Sequence, residues 1–382
     1  MKRIAIFCDG TWNRSDRVRS EAEGRSLTNI VHLREAVIEG RAPDGVEQRV
    51  FYIDGVGTPE DVGWLRSATD KYLGGTFGWG LDDKILKAYR LLCEHYRPGD
   101  DIHVFGFSRG AYTARSLVGL LRNCSLPAAP DPALFDHLMA IYRSRRGEDV
   151  PWSERTRRLR EWVNPRLVSH AEDLADHPAA DQCTVLRVKY LGVYDTVGAL
   201  GLPELWPGLA RANARYKFHD TVLSSMVDSA RQVIAIDDPR ITFRPVPWEP
   251  ERLRALNAAP GAAGRYRQEW FPGLHGTVGG ALPAGHDGLG LVTLDWMAEG
   301  AEAAGLAFDP VRRAHWAEAR DPSGPFREPG ARHSLVDRLT IRYFPYRRPE
   351  VPEAGAISRA AAARWQDGRS GEGWPYRPPQ LG

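Results

Sequence analysis

Cysteine is scarce in this chain of 382 residues: Cys8, Cys93, Cys124 and Cys183 are all there is, and no two stand in a C-x-x-C spacing. That excludes a disulfide framework and fits reduced thiols in a cytoplasmic setting. An excess of one charge is missing too. Lys and Arg number 51 and Asp and Glu 49, a formal net of +2, so there is no basic stripe and no nucleic-acid partner is expected. Long apolar runs are also absent. The longest stretch without a formal charge, 270–286, holds Pro272, Pro283 and five glycines, and reads as a loop rather than a membrane span. At the N-terminus, Lys2-Arg3 is followed only by Ile4 to Phe7 before Cys8-Asp9. A secretory core needs more apolar residues, so a first strand and no signal peptide are expected; any export would proceed without one.

What is present is the composition of a globular protein, 42% hydrophobic and 26% charged, with a high count of twelve tryptophans. Spacing predicts strands over 4–8, 50–53 and 102–107, and helices over 27–38 (capped by Ser26 or Thr28), 81–96 and 111–121, with a glycine-rich loop over 74–80. Strand alternating with helix means βαβ units and a mostly parallel sheet flanked by helices. Residues 123–182 then read as an Arg-rich helical insertion. A strand is expected over 184–194, a helix over 222–235, an edge-type strand over 242–246 that Pro245 keeps off the sheet centre, a last strand over 267–271, and helices over 289–304 and 357–365. There is no internal repeat and no obvious linker.

The sharpest local feature is Gly106-Phe107-Ser108-Arg109-Gly110, a G-x-S-x-G sequence between an apolar strand and a helix. In that context the serine stands on a strained turn above the sheet, the glycines Gly106 and Gly110 let backbone pass close by, and the helix N-terminus offers N–H donors to a developing oxyanion. A chance pentapeptide at a βα turn is the alternative. A serine hydroxyl needs a base and an acid, in chain order Ser, Asp, His. Asp195 follows the strand ending at Tyr194, on the sheet edge that carries the nucleophile; its plainer reading is a turn or cap residue. His275 lies in the loop after the last strand and is the candidate base. His286, beside Asp287 in the same loop, is the second choice, and His103 reads as a packed strand residue.

Asp9-Gly10-Thr11-Trp12-Asn13 follows the first strand. Gly10 and Thr11 can present N–H groups toward Ser108, with Arg109 N–H as a second oxyanion donor, and Asp9 can hold the loop as an Asx turn. A different role for Asp9 is that of a metal-binding or phosphoryl-accepting residue, with Asp54, Asp195, Asp237 and Asp238 as further carboxylates; such a phosphohydrolase leaves the G-x-S-x-G turn without a task.

Five segments together resemble a known family: Phe7 to Asn13, Gly106 to Tyr112, Gly192 to Gly198, Ala230 to Asp237 and Trp270 to His275. In this order they are similar to the catalytic domain of type VI secretion lipase effectors, over roughly residues 1 to 305. The resemblance implies an α/β-hydrolase with Ser108 as nucleophile, Asp195 as acid and His275 as base, and phospholipase activity in members that act as effectors. One difference stands out. Members usually carry His-x-Asp after the last strand, whereas here Thr277 occupies the Asp position, removing a carboxylate contact or changing a local turn.

The expected protein is therefore a serine esterase or lipase, with no cofactor and no metal, cleaving a small-molecule or lipid ester. Its catalytic domain would span 1–320, with 123–182 as a helical insertion or lid, and a Pro/Arg-rich extension over 321–382 would pack on the core. The loop from Trp64 to Trp79 is a candidate acyl-pocket wall or peripheral membrane contact. Trp12, Trp64, Trp79, Trp206 and Trp270 border the expected site, which predicts an aromatic-walled cleft for an apolar acyl group. A catalytically weak hydrolase fold used for binding is the competing class.

Overall fold

Lys2–Cys8 forms the first strand, β1, because the unbroken apolar run from Ile4 to Cys8 suits a strand buried on both faces. The computed structural model describes residues 1–10, 27–55, 76–144, 146–175, 177, 179–198, 222–282, 285–326, 335–353, 356–368 and 375–381. After β1 come α1 (Asn29–Ala36), β2 (Gly40–Arg41), β3 (Glu47–Ile53), α2 (Thr76–His95), β4 (Asp101–Phe107) and α3 (Arg109–Cys124). The insertion contributes α4 (Pro132–Arg143), α5 (Glu154–Val163), β5 (Leu167–Val168) and β6 (Thr184–Val185). Then follow β7 (Val188–Tyr194), β8 (Ala230–Ala235), α6 (Pro250–Asn257), β9 (Tyr266–Phe271), α7 (His275–Val278), α8 (Gly288–Ala303), α9 (Pro310–Ala319), α10 (Leu335–Tyr343) and α11 (Arg359–Asp367).

Seven strands make one sheet in the order β2-β3-β1-β4-β7-β8-β9, parallel throughout except for the β2–β3 pair. Alternate residues of β1 feed opposite cores: Ile4 and Ile6 pack with residues of α2 and α3, while Ala5 and Phe7 pack with residues of α1 and α8. The result is the mostly parallel, helix-flanked α/β sheet that the pattern predicts. Register then does the positioning. Cys8 is level with Gly106, and Phe107 with Tyr194, so the residues that follow these strand ends, Asp9, Ser108 and Asp195, emerge on one sheet edge.

Several elements differ from expectation. The segment expected as a helix over 222–235 makes turns and then β8; Val233, Ile234 and Ala235 are all buried, and a short apolar run of this kind has no period that separates strand from helix. Residues 242–246 do not form an edge strand. A 3₁₀ turn covers Ile241–Phe243, and Pro245 makes an isolated bridge to Val197. α2 starts at Thr76, so the glycine-rich segment 74–80 is helical from that point on, and the strand expected over 184–194 is two strands, β6 and β7.

The insertion packs alongside α3. Asn123 Nδ2 donates to the Asp149 carbonyl (3.1 Å), Ser125 Oγ to that of Leu167 (3.0 Å) and Ser169 Oγ to that of Leu121 (2.9 Å). All three anchors lie at the C-terminal end of α3, about 20 Å along the helix from Ser108. The C-terminal segment returns to the opposite flank: Ile357 bridges Trp270 in parallel, and Ser358 N–H donates to the Trp270 carbonyl (3.1 Å). Among the described residues no helix is long and apolar enough to cross a membrane.

Candidate active site

Ser108 closes β4 and caps α3 with φ 57° and ψ −121°, a left-handed conformation that costs a non-glycine residue on the order of 1–3 kcal/mol. The flanking glycines make this turn feasible. A β-carbon on residue 106 would meet the Gly110 carbonyl oxygen at 2.4 Å, and one on residue 110 would meet that of Cys8 at 2.1 Å. The serine is thereby raised on the sheet edge at the N-terminus of a sixteen-residue helix.

His275 reaches it from the far side of the sheet. The segment after β9 turns back, and two aspartates that follow β8 fix it: Gly273 N–H donates to Asp237 Oδ2 (2.6 Å) and His275 N–H to Asp238 Oδ2 (3.0 Å). His275 Nε2 lies 2.8 Å from Ser108 Oγ, and His275 Nδ1 2.6 Å from Asp195 Oδ2. An ionised carboxylate only accepts, so Nδ1 carries the proton and the Nε2 lone pair faces the serine hydroxyl. All three side chains are buried. The imidazole lies between the rings of Phe107 (centroids 4.8 Å apart) and Phe243 (4.3 Å).

Burial pushes His275 below its ordinary value, outweighing the Asp195 hydrogen bond that would raise it. Asp195 is driven up by burial but is held below the usual carboxylate range by the Arg348 guanidinium. Asp238 is likewise buried and held low by Arg240. Asp237 accepts from Gly273 N–H and Tyr376 Oη, and burial, outweighing these bonds and the charges of Arg364 and Arg348, raises it to about 7.

The structure thus brings Ser108, Asp195 and His275 together, with Gly106, Gly110 and Arg109 at the turn. Arg109 opens α3, so its N–H is one of the amides that point off the helix N-terminus. Gly10 departs from its expected role: its N–H donates to Asp9 Oδ1 (2.6 Å) and is thereby committed. Asp9 Oδ2 also accepts from Thr28 Oγ1 (2.8 Å) and Tyr52 Oη (2.6 Å), so its carboxylate ties the β1 end to α1 and β3. Among the described residues no group of three His, Cys, Asp or Glu is placed to hold a metal ion. His286 is partly exposed before α8, outside the hydrogen bonds that join Ser108, His275 and Asp195. His103 is fully buried in β4, and burial pushes it down to about 3. Thr11, Trp12, Trp64 and Trp206 lie outside the described residues, as does the side chain of Trp79. Trp270 packs with Ile234, Ile236 and Ala361 in a cluster under α11, so among the described residues the rings stacked on the histidine are those of phenylalanines.

A match to the family described as "T6SS, Phospholipase effector Tle1-like, catalytic domain" covers residues 2–300. The chain belongs to that family. A 25% identical relative in Saccharomyces cerevisiae, the uncharacterized protein YEL023C, aligns over 266 residues, which is 65% of this chain and 34% of the yeast protein. The chain therefore spans about a third of that relative's length. Two solved structures are similar in part. One is the Tle1 effector bound to the VgrG spike of the type 6 secretion system (17% identity, TM-score 0.36, covering 74% of this chain and 51% of that one). The other is an uncharacterized protein from Pseudomonas aeruginosa (15%, TM-score 0.43, 96% and 58%).

Within this Tle1-like domain, Thr277 stands where the resemblance implies an aspartate. Its hydroxyl accepts from Leu274 N–H (3.2 Å) and donates to the Phe326 carbonyl, so the turn at His275 is closed without a carboxylate. Arg348 lies beyond the matched residues, yet its fully buried guanidinium binds Asp195 with both terminal nitrogens. Sequence reading missed it because an arginine in an Arg- and Pro-rich tail carries no spacing that ties it to an acid 153 positions away.

Proposed function

We propose that this protein is a lipolytic serine hydrolase that cleaves carboxylic esters of lipids, phospholipid acyl esters in particular. The observation that carries this reading is the unbroken hydrogen-bonded line from Ser108 through His275 to Asp195 on the sheet edge; the Tle1-like family supplies the substrate class.

In the first step Ser108 Oγ attacks the ester carbonyl carbon while His275 Nε2 takes its proton. Asp195 holds the imidazole by Nδ1–H and stabilises the imidazolium. The carbonyl oxygen becomes an oxyanion, for which the Arg109 N–H at the start of α3 is a donor; a second donor would come from the loop after β1. The C–O bond to the alcohol then breaks, and His275 returns the proton to the departing alkoxide, leaving an acyl-serine. Water, deprotonated by His275, cleaves that ester to free the fatty acid and restore Ser108. The buried Phe107 and the partly buried Phe243 beside His275 make the surroundings apolar, which suits an acyl chain and strengthens each charge interaction in the site.

Purified protein should label with a fluorophosphonate probe and release fatty acid from phospholipid vesicles, and Ser108→Ala should do neither. Wild-type protein that fails to label, or Ser108→Ala that labels equally, would overturn the reading and leave a hydrolase fold used for binding. A metal-dependent phosphohydrolase would instead lose activity to EDTA and to Asp9→Asn.

A further inference from the structure

We propose that Arg348 is a positioning residue of this active site: it clamps Asp195 in place and keeps it ionised, so the chain beyond the Tle1-like match completes the catalytic centre. The proposal rests on the triad reading above.

The geometry is that of a built site. Arg348 Nη1 donates to Asp195 Oδ1 (2.6 Å) and Nη2 to Asp195 Oδ2 (2.8 Å), the two-pronged pairing that fixes a carboxylate in both position and plane. The same nitrogens donate to the Ala235 carbonyl (3.0 Å) and the Phe243 carbonyl (2.9 Å). The guanidinium therefore ties the end of β8 and the 3₁₀ turn to the acid. Asp195 needs such a partner. It has no exposed surface, it sits at φ 38°, and its other acceptor contacts are Ala235 N–H (3.1 Å) and His275. A carboxylate taken out of water without a cation becomes protonated, and a protonated acid could no longer stabilise the histidine once it accepts the Ser108 proton.

The clamp also acts on the base. His275 faces Asp195 from the end of β7 and Asp238 from the end of β8, the latter paired with Arg240, while Arg348 faces it from the C-terminal segment. Asp237 holds the same turn through Gly273 N–H. Of these groups Arg348 opposes protonation of the imidazole. Removing its charge should therefore strip Asp195 of its support and make His275 easier to protonate, two effects that a purely structural arginine would not produce.

The test uses Arg348→Gln, Arg348→Lys, Asp195→Asn and the double variant Asp195→Asn/Arg348→Gln in the full chain, assayed on a soluble short-chain ester across pH. Fluorophosphonate labelling and hydrolysis lost in Ser108→Ala first establish the triad in the wild type; failure there removes the triad reading itself. For folded Arg348→Gln we expect kcat/KM to fall at least about tenfold, with about 10⁴-fold as the ceiling set by loss of a triad acid. KM should hold steady, and the acid limb of the profile should move up by about one pH unit. Arg348→Lys keeps the charge but not the fork, so it should retain the wild-type limb at reduced rate. The double variant, whose neutral pair removes the buried charge imbalance, should be no slower than Asp195→Asn alone. Wild-type rate and limb in Arg348→Gln would overturn the clamp, as would a double variant slowed by the product of the single effects. If neither glutamine variant folds, Arg348→Lys with wild-type rate overturns it.

Discussion

The carbonyl oxygen of Cys8 lies 2.1 Å from where a β-carbon on residue 110 would stand. Gly110 thus lets α3 start directly against the end of β1. Because backbone meets backbone there, no side-chain rotation can relieve a substitution. Gly110→Ala should cost about 2 kcal/mol or more, in the range of overpacked cores, and displace Ser108. Urea unfolding and fluorophosphonate labelling rate would both register it; a variant with wild-type values in both would show that the turn tolerates a β-carbon.

In the proposed triad, Ser108, His275 and Asp195 should behave as one unit. Asp195→Asn leaves a side chain of the same shape but reverses the hydrogen-bonding preference at His275 Nδ1, and kcat should drop by about 10⁴. Adding Asp195→Asn to Ser108→Ala should cause almost no further loss. Steady-state hydrolysis of a soluble ester measures this, and independent, multiplying effects would separate Asp195 from the chemistry.

The pH profile follows from the histidine. In the proposed mechanism His275 acts as base only when neutral, and burial lowers its proton affinity. The acid limb of kcat/KM should therefore fall below the model-peptide histidine value of about 6.5. A limb above that value would mean that Asp195 dominates over burial.

Asp237 gives stability a different pH dependence. Burial raises its carboxyl to about 7 in the folded protein, against about 3.9 in the unfolded chain. Between those values the folded state holds the extra proton, so this group's contribution is fully present below about pH 4 and is lost as pH rises through 7. Asp237→Asn keeps an acceptor for Gly273 N–H and Tyr376 Oη but cannot ionise. It should flatten the decline, with the variant gaining on wild type by a few kcal/mol at most between pH 5 and 8. Parallel urea curves at the two pH values test it.

Thr277 makes a smaller but cleaner case. Thr277→Val keeps the shape and removes the hydroxyl, leaving Leu274 N–H and the Phe326 carbonyl without it. A loss of about 1–3 kcal/mol is expected, visible as a lower Tm, with a smaller effect on kcat because His275 is still held by Asp238.

What the sequence made legible were the features with local signatures. The apolar runs of β1, β4 and β7 announce buried parallel strands, and the glycines around Ser108 announce the close approach between strand and helix. Asp195 and His275 could be singled out as neighbours of Ser108 because each follows a strand end on the same edge. β8 was misread because its apolar part, Val233 to Ala235, is too short to show a period that separates strand from helix. Asp9 could be read as holding the loop after β1, but residue types alone do not say that the amide it takes is that of Gly10. Arg348 was out of reach for a different reason: its partner is set by how the C-terminal segment crosses back over β8 and β9, a long-range contact that no spacing encodes.

Chain order gives that contact a direction in time. Asp195 is synthesised 153 residues before Arg348, and the last strand of the main sheet ends at Phe271. A chain still on the ribosome can therefore hold all seven strands of that sheet, with serine, acid and histidine already made, while the acid still lacks its counter-charge. The Ser108–His275–Asp195 cluster is finished only after its sheet is.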